Sequence, residues 1–182
     1  MKLYFFGGTF DPPHLAHEEI AKRCDKLCDK FIFFPCKASP LKDHSPIASE
    51  QHRINMTQLM ANCLGGKYTV DDFEIKGNFP SYTIDTISYI KKTYSFTNLT
   101  MIVGADQMKN IDKWKDFKSI NEALEIICFD RDNLAKNIKK CNFIKMDSDI
   151  SSSKIRENFK IEKNKLNSLV FKYIVENHIY SN

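Results

Sequence analysis

His14 and His17 stand three residues apart, just after a glycine pair, Gly7-Gly8, that closes the apolar run Leu3-Tyr4-Phe5-Phe6. Imidazoles at that spacing on a helix share one side, about one turn apart. Their ring N–H groups can donate to phosphoryl oxygens. The glycines let the backbone approach a ligand closely, so the N–H groups of Gly8, Thr9 and Phe10 can point at a phosphate. A strand, a glycine turn and a helix start together form a site for anions. Far downstream, Ile150-Ser151-Ser152-Ser153-Lys154-Ile155-Arg156 offers a second set. Serines at a helix start cap it, and Arg156, one turn in, can fork onto phosphoryl oxygens. Each feature taken singly has a plainer reading: a tight turn, a solvated histidine, a serine-capped surface helix. A zinc site is not supported, because His44, His52 and His178 show no matching spacing. No metal ligand is assigned.

The elements that must position these groups follow from periodicity. Strand candidates are 2–7, 31–36, 68–75, 99–104, 124–129 and 142–146, mostly continuous apolar runs of the kind covered on both faces. Helix candidates are 15–30, where Ile20, Cys24, Leu27 and Cys28 repeat at helical spacing; 49–63, with Ser49 as cap and Gly65-Gly66 as stop; and 81–94, with Ser81 as cap. Near the C-terminus, Leu166, Leu169, Val170, Tyr173 and Ile174 form an apolar stripe. Strands alternating with helices predict an α/β fold, a doubly wound, mostly parallel sheet with helices on both faces. Ligands then bind beyond the C-terminal strand ends, where Gly7-Gly8 falls. The chain is expected to be one domain, 1–182, with a small helical part from about 151.

Composition narrows the classes. The 182 residues carry a net charge of +4, with no Lys/Arg block of the kind that tracks nucleic acid. No apolar run reaches membrane-spanning length. Six cysteines, at 24, 28, 36, 63, 128 and 141, form no CxxC pair. They are read as reduced and buried in a cytoplasmic protein.

The whole string Gly7-Gly8-Thr9-Phe10-Asp11-Pro12-Pro13-His14-Leu15-Ala16-His17 resembles the nucleotidyltransferase superfamily signature GGTFDPxHxGH, with Ala16 in place of glycine. The 150–156 segment resembles its ISSTxIR motif, with Ser153 for threonine. The resemblance implies a Rossmann-like domain and an ATP site made by Gly7, Gly8, Thr9, Phe10, His17, Ser152, Ser153 and Arg156. Two further strings resemble bacterial nicotinate-nucleotide adenylyltransferases: Ser81-Tyr82-Thr83-Ile84-Asp85-Thr86, and Gly104-Ala105-Asp106-Gln107 followed by Trp114. They imply a pyridine-nucleotide site in which Tyr82 and Thr83 hold the carboxylate, Trp114 stacks on the ring and Asp106 takes a ribose hydroxyl. The family's lysine-bearing loop is represented by Ser39-Pro40-Leu41-Lys42-Asp43-His44, with leucine where a histidine is usual. Its Arg-Pro-Gly turn survives only as Arg131.

The implied reaction moves the adenylyl group of ATP to nicotinate mononucleotide. His14, His17, Lys42 and Arg156 would act on the phosphates, and ATP would bring Mg²⁺ with it. Alternatives are a sister enzyme acting on nicotinamide mononucleotide or phosphopantetheine, or a non-catalytic nucleotide-binding protein. A class I synthetase fragment is disfavoured, since there is no KMSKS-like loop. The expected partners are small molecules, not nucleic acid or membrane. Homo-oligomerisation is left open.

Overall fold

The computed structural model describes residues 1–38, 45–77, 80, 82–130 and 141–180. In chain order the elements are β1 (Lys2–Gly8), α1 (Leu15–Arg23), β2 (Lys30–Pro35), α2 (Glu50–Leu64), β3 (Tyr68–Val70), α3 (Phe73–Lys76) and α4 (Thr83–Thr93). There follow β4 (Asn98–Gly104), α5 (Ala105–Met108), α6 (Phe117–Ala123), β5 (Glu125–Asp130), β6 (Cys141–Lys145), α7 (Ser152–Glu157) and α8 (Ser168–Glu176). The strands lie in the order β3-β2-β1-β4-β5-β6, and every neighbouring pair is parallel. The expected Rossmann-like sheet is therefore present.

Alternation along the strands divides the core in two. Leu3, Phe5, Ile32, Phe34, Met101 and Val103 face one side, where Ile87 and Ile90 of α4 and Ile120 of α6 cover them. Tyr4, Phe6, Phe31 and Phe33 face the other, against Ile20 of α1, Met56 and Met60 of α2, and Val170 and Ile174 of α8. Phe31, Phe33 and Phe34 are wholly buried, each worth about 1.5–3 kcal/mol of transfer free energy. Ile155 of α7 joins the second cluster, so the C-terminal helices share this core.

Two expected elements are shorter. The helix over 15–30 ends at Arg23, and Leu27 is exposed. Asp29 draws the chain out early: its N–H donates to the Lys2 carbonyl, and its carboxylate accepts from the Lys2 N–H. The strand over 68–75 stops at Val70. Asp71 turns the chain by accepting from the Phe73 N–H and from the hydroxyls of Tyr89 and Tyr94. Phe73 then stacks on Tyr89, 4.0 Å between ring centroids. Ser49 caps α2 as expected, accepting from the His52 N–H. Gly65 ends that helix with φ 117°, a conformation that favours glycine. Tyr82 stands at the N-cap of α4; Ser81 lies outside the described residues.

Strand β1 pairs with β2 on one side and β4 on the other, so the winding reverses between β1 and β4. Beyond their C-terminal ends a crevice must open, because the connections leave to opposite faces. Gly7-Gly8 and Gly104 are those ends.

Candidate active site

Two cavities occupy the crevice, of about 200 Å³ and 290 Å³. Both are floored by Gly7, Gly8 and Thr9, and both reach Asp106 and Gln107. The two glycines are not equivalent. A Cβ on Gly8 would lie 3.0 Å from the Phe10 ring, whereas one on Gly7 would meet only Glu74, at 3.9 Å. Phe10 has a left-handed backbone, φ 50°, and its buried ring packs edge-on against Phe6, His17 and Phe33. Gly8 thus makes room for a core aromatic, and Phe10 can meet a ligand through its backbone rather than its ring.

His14 is the N-cap of α1, and its ring stacks on that of His17, with centroids 3.8 Å apart. The His14 N–H donates to His17 Nδ1, 3.1 Å away. His17 in its neutral form therefore carries its proton on Nε2. Burial pushes the His14 imidazole down to about 3, so this ring is neutral near pH 7. Its Nδ1 is buried with no hydrogen-bond partner among the described residues. Both rings line the larger cavity.

Opposite them, Ser151 caps α7 by accepting from the Lys154 N–H. Ser152 donates its hydroxyl to the Pro12 carbonyl, 2.9 Å away, tying the downstream motif to the opening one. Arg156 Nη2 donates to the Ser153 hydroxyl, and Nη1 donates to the Asp11 carbonyl at 2.6 Å. Ser152, Ser153 and Arg156 line the same cavity as the histidines. The two motifs, 140 residues apart in the chain, form one wall-to-wall site.

Three residues here carry roles that the sequence did not announce. Asp11 is buried, and its carboxylate accepts from the N–H groups of Ile47 and Ala48 and from the Tyr180 hydroxyl. Arg53 of α2 is wholly buried and donates to the carbonyls of Thr9, Cys36 and Lys37. It clips the ends of β1 and β2 together. A basic residue on the face of α2 that buries Met56 and Met60 was the available signal. Tyr180 gave none.

The smaller cavity is lined by Tyr82, Thr83 and Trp114. Trp114 follows one turn of 3-10 helix at Ile111–Lys113. Tyr82 and Thr83 open α4, where main-chain N–H groups and the helix dipole favour a carboxylate. Lys115 places its ammonium 4.4 Å from the Tyr82 ring centroid. Asp106 is exposed at the start of α5, between the cavities. Lys42, His44 and Arg131 lie outside the described residues.

The six cysteines are free; Cys24, Cys28, Cys36 and Cys128 are buried as expected, whereas Cys141 is half-buried and Cys63 is exposed. Burial raises Cys24 and Cys128 to about 12, so neither is a nucleophile at neutral pH. No helix among the described residues is long and apolar enough to cross a membrane.

Known proteins agree with this geometry. The model of the cytidylyltransferase-like family matches residues 5–158. A protein of Methylacidiphilum infernorum (isolate V4) named "Probable nicotinate-nucleotide adenylyltransferase" is 35% identical, covering 98% of this chain and 92% of its own. Two structures of Plasmodium falciparum nicotinic acid mononucleotide adenylyltransferase, one complexed with NaAD and one with APC, superpose with TM-scores of 0.81 and 0.79. Each is 20% identical and covers 98% of this chain, and this chain covers 97% and 96% of them. At that identity they establish the fold. The chain belongs to the cytidylyltransferase-like family of nucleotidyltransferases, in its nicotinate-nucleotide adenylyltransferase branch.

Proposed function

We infer that the chain is a nicotinate-nucleotide adenylyltransferase. It transfers the adenylyl group of ATP to nicotinate mononucleotide, giving deamido-NAD and pyrophosphate. The observation that carries this reading is the shared floor: two cavities meeting over Gly7-Gly8-Thr9, one faced by imidazoles and a guanidinium, the other by an indole and a helix start.

A phosphate oxygen of the mononucleotide attacks the α-phosphorus of ATP, a new P–O bond forms, and the α–β bridging P–O bond breaks as pyrophosphate leaves. The attacking oxygen is already anionic, so no general base is required. The protein aligns two anions and stabilises the charge that builds on the α-phosphate. His17 Nε2–H, the His14 ring and Arg156 are assigned to that charge, and Lys42 is assigned beside them by family likeness. Gly8, Thr9 and Phe10 offer main-chain N–H groups, and Ser152 and Ser153 close the ATP side. Around this cavity imidazole, hydroxyl and guanidinium groups are present to bind phosphate oxygens, and the carboxylates of Asp11 and Asp106 line it as well. Magnesium would arrive on the phosphates of ATP and would offset their charge there.

In the other cavity, Trp114 stacks on the pyridine ring. The start of α4 at Tyr82 and Thr83 takes the carboxylate, and Asp106 takes a ribose hydroxyl. A charged carboxylate accepts more strongly than an amide, which favours the acid substrate. Six free cysteines suit a reducing compartment, and our reading puts the reaction in the cytoplasm. The C-terminal helices are read as part of one catalytic unit.

The test supplies ATP with nicotinate mononucleotide, nicotinamide mononucleotide or phosphopantetheine and follows pyrophosphate release. Release is expected to be fastest with the nicotinate substrate. Equal release from all three, or none, would overturn the reading.

A further inference from the structure

The turn that follows α8 brings Tyr180 onto the opening motif, 169 residues upstream in the chain. Its hydroxyl donates to Asp11 Oδ1, the oxygen that also accepts from the Ala48 N–H. The other oxygen, Oδ2, accepts from the Ile47 N–H and lies 3.7 Å from Arg156 Nη1. A buried carboxylate with a cation at its edge pulls that cation inward unless neutral donors satisfy it first. Tyr180 is such a donor: burial and the Asp11 carboxylate hold its phenol well above the usual tyrosine range, so it stays protonated.

We propose that Tyr180 is a positioning residue for the ATP site, whose hydroxyl satisfies Asp11 and so leaves Arg156 available to phosphate. This rests on the reading of Arg156 as a phosphate ligand. Tyr180 is held in place from several sides. Asn167, the N-cap of α8, donates to Glu18 of α1, and Tyr173 of α8 meets His52 and Asn55 of α2 at 2.9 and 2.8 Å. Ile174 and Ile179 are buried, and the Tyr180 ring packs against Phe159. Removing the hydroxyl alone therefore leaves the packing in place. The last helix acts as a strap that sets the charge balance of a site it does not line.

The experiment uses Tyr180→Phe in the full chain. The KM for ATP and its dissociation constant measured by direct titration are expected to rise roughly tenfold, the worth of one charge-assisted hydrogen bond, with the KM for the pyridine mononucleotide unmoved. In an Arg156→Ala background the same change is expected to add nothing, because the effect is routed through that side chain. Asn167→Ala, which cuts the strap elsewhere, is expected to leave ATP binding unchanged. A full, additive effect in the Arg156→Ala background would overturn the proposal, as would equal losses for both substrates or an equal ATP loss from Asn167→Ala. Unchanged ATP binding in Arg156→Ala alone would overturn the phosphate reading of Arg156 and the proposal with it.

Discussion

The main-chain N–H of His14 donates to Nδ1 of His17 while the two rings lie stacked, 3.8 Å between centroids. One residue thereby sets the tautomer of the other. Nε2 of the neutral His17 then carries the proton, and a ring held in this way is a preorganised donor of the kind that transition-state stabilisation requires.

His17→Ala is therefore expected to lower kcat by roughly 10²–10³, about 3–4 kcal/mol, with a small change in the KM for ATP. Steady-state kinetics with saturating nicotinate mononucleotide measures it. A loss below tenfold would remove His17 from the chemical step.

His14 has a consequence for acid stability. Its folded value is pushed down to about 3, below the unfolded histidine value near 6.5. Between those limits the unfolded chain binds the extra proton, so the contribution is full above pH 6.5 and is lost as pH falls. His14→Asn is expected to make the decline of unfolding free energy from pH 6.5 to 4.5 shallower, by at most about 1.4 kcal/mol per pH unit. Urea melts at several pH values read this slope; parallel curves for the two proteins would refute it.

Gly8→Ala puts a methyl 3.0 Å from the Phe10 ring, while Gly7→Ala meets nothing closer than 3.9 Å. The first is expected to cost about 1–3 kcal/mol of stability, the second less than about 1 kcal/mol. Shrinking Phe10 to Leu in the Gly8→Ala background should return part of the loss. Equal denaturation midpoints for the two alanine variants would contradict the packing account.

Trp114→Ala is expected to raise the KM for nicotinate mononucleotide by about 10-fold or more while kcat changes little, since stacking serves substrate and transition state alike. If the KM for ATP alone moves, the pyridine ring does not sit on Trp114.

Much of this site was legible in the chain because its chemistry is local. A glycine pair after an apolar run and a serine-led helix start are patterns that short-range physics produces, whereas Trp114 was singled out by the family likeness of Gly104-Ala105-Asp106-Gln107. A parallel, doubly wound sheet followed from strands alternating with helices and from the handedness of crossovers; the strand order came only from the structure. What stayed hidden depends on long-range contact. The early end of the helix at Arg23 is fixed by Asp29 pairing with Lys2 across the sheet. The short β3 is fixed by Tyr89 and Tyr94 reaching Asp71. The strap on Asp11 comes from Tyr180, and no local pattern marks such a partner. Gly8 was read as room for a ligand, and its neighbour turned out to be Phe10.

The common floor of the two cavities bears on what happens after the bond is made. Two substrates would fill adjoining cavities, and the single dinucleotide made from them would have to leave both together. Release then breaks two sets of contacts in one event, and the departing molecule obstructs either incoming one. A rigid compound spanning from Trp114 to Arg156 would draw on the contacts of both cavities at once.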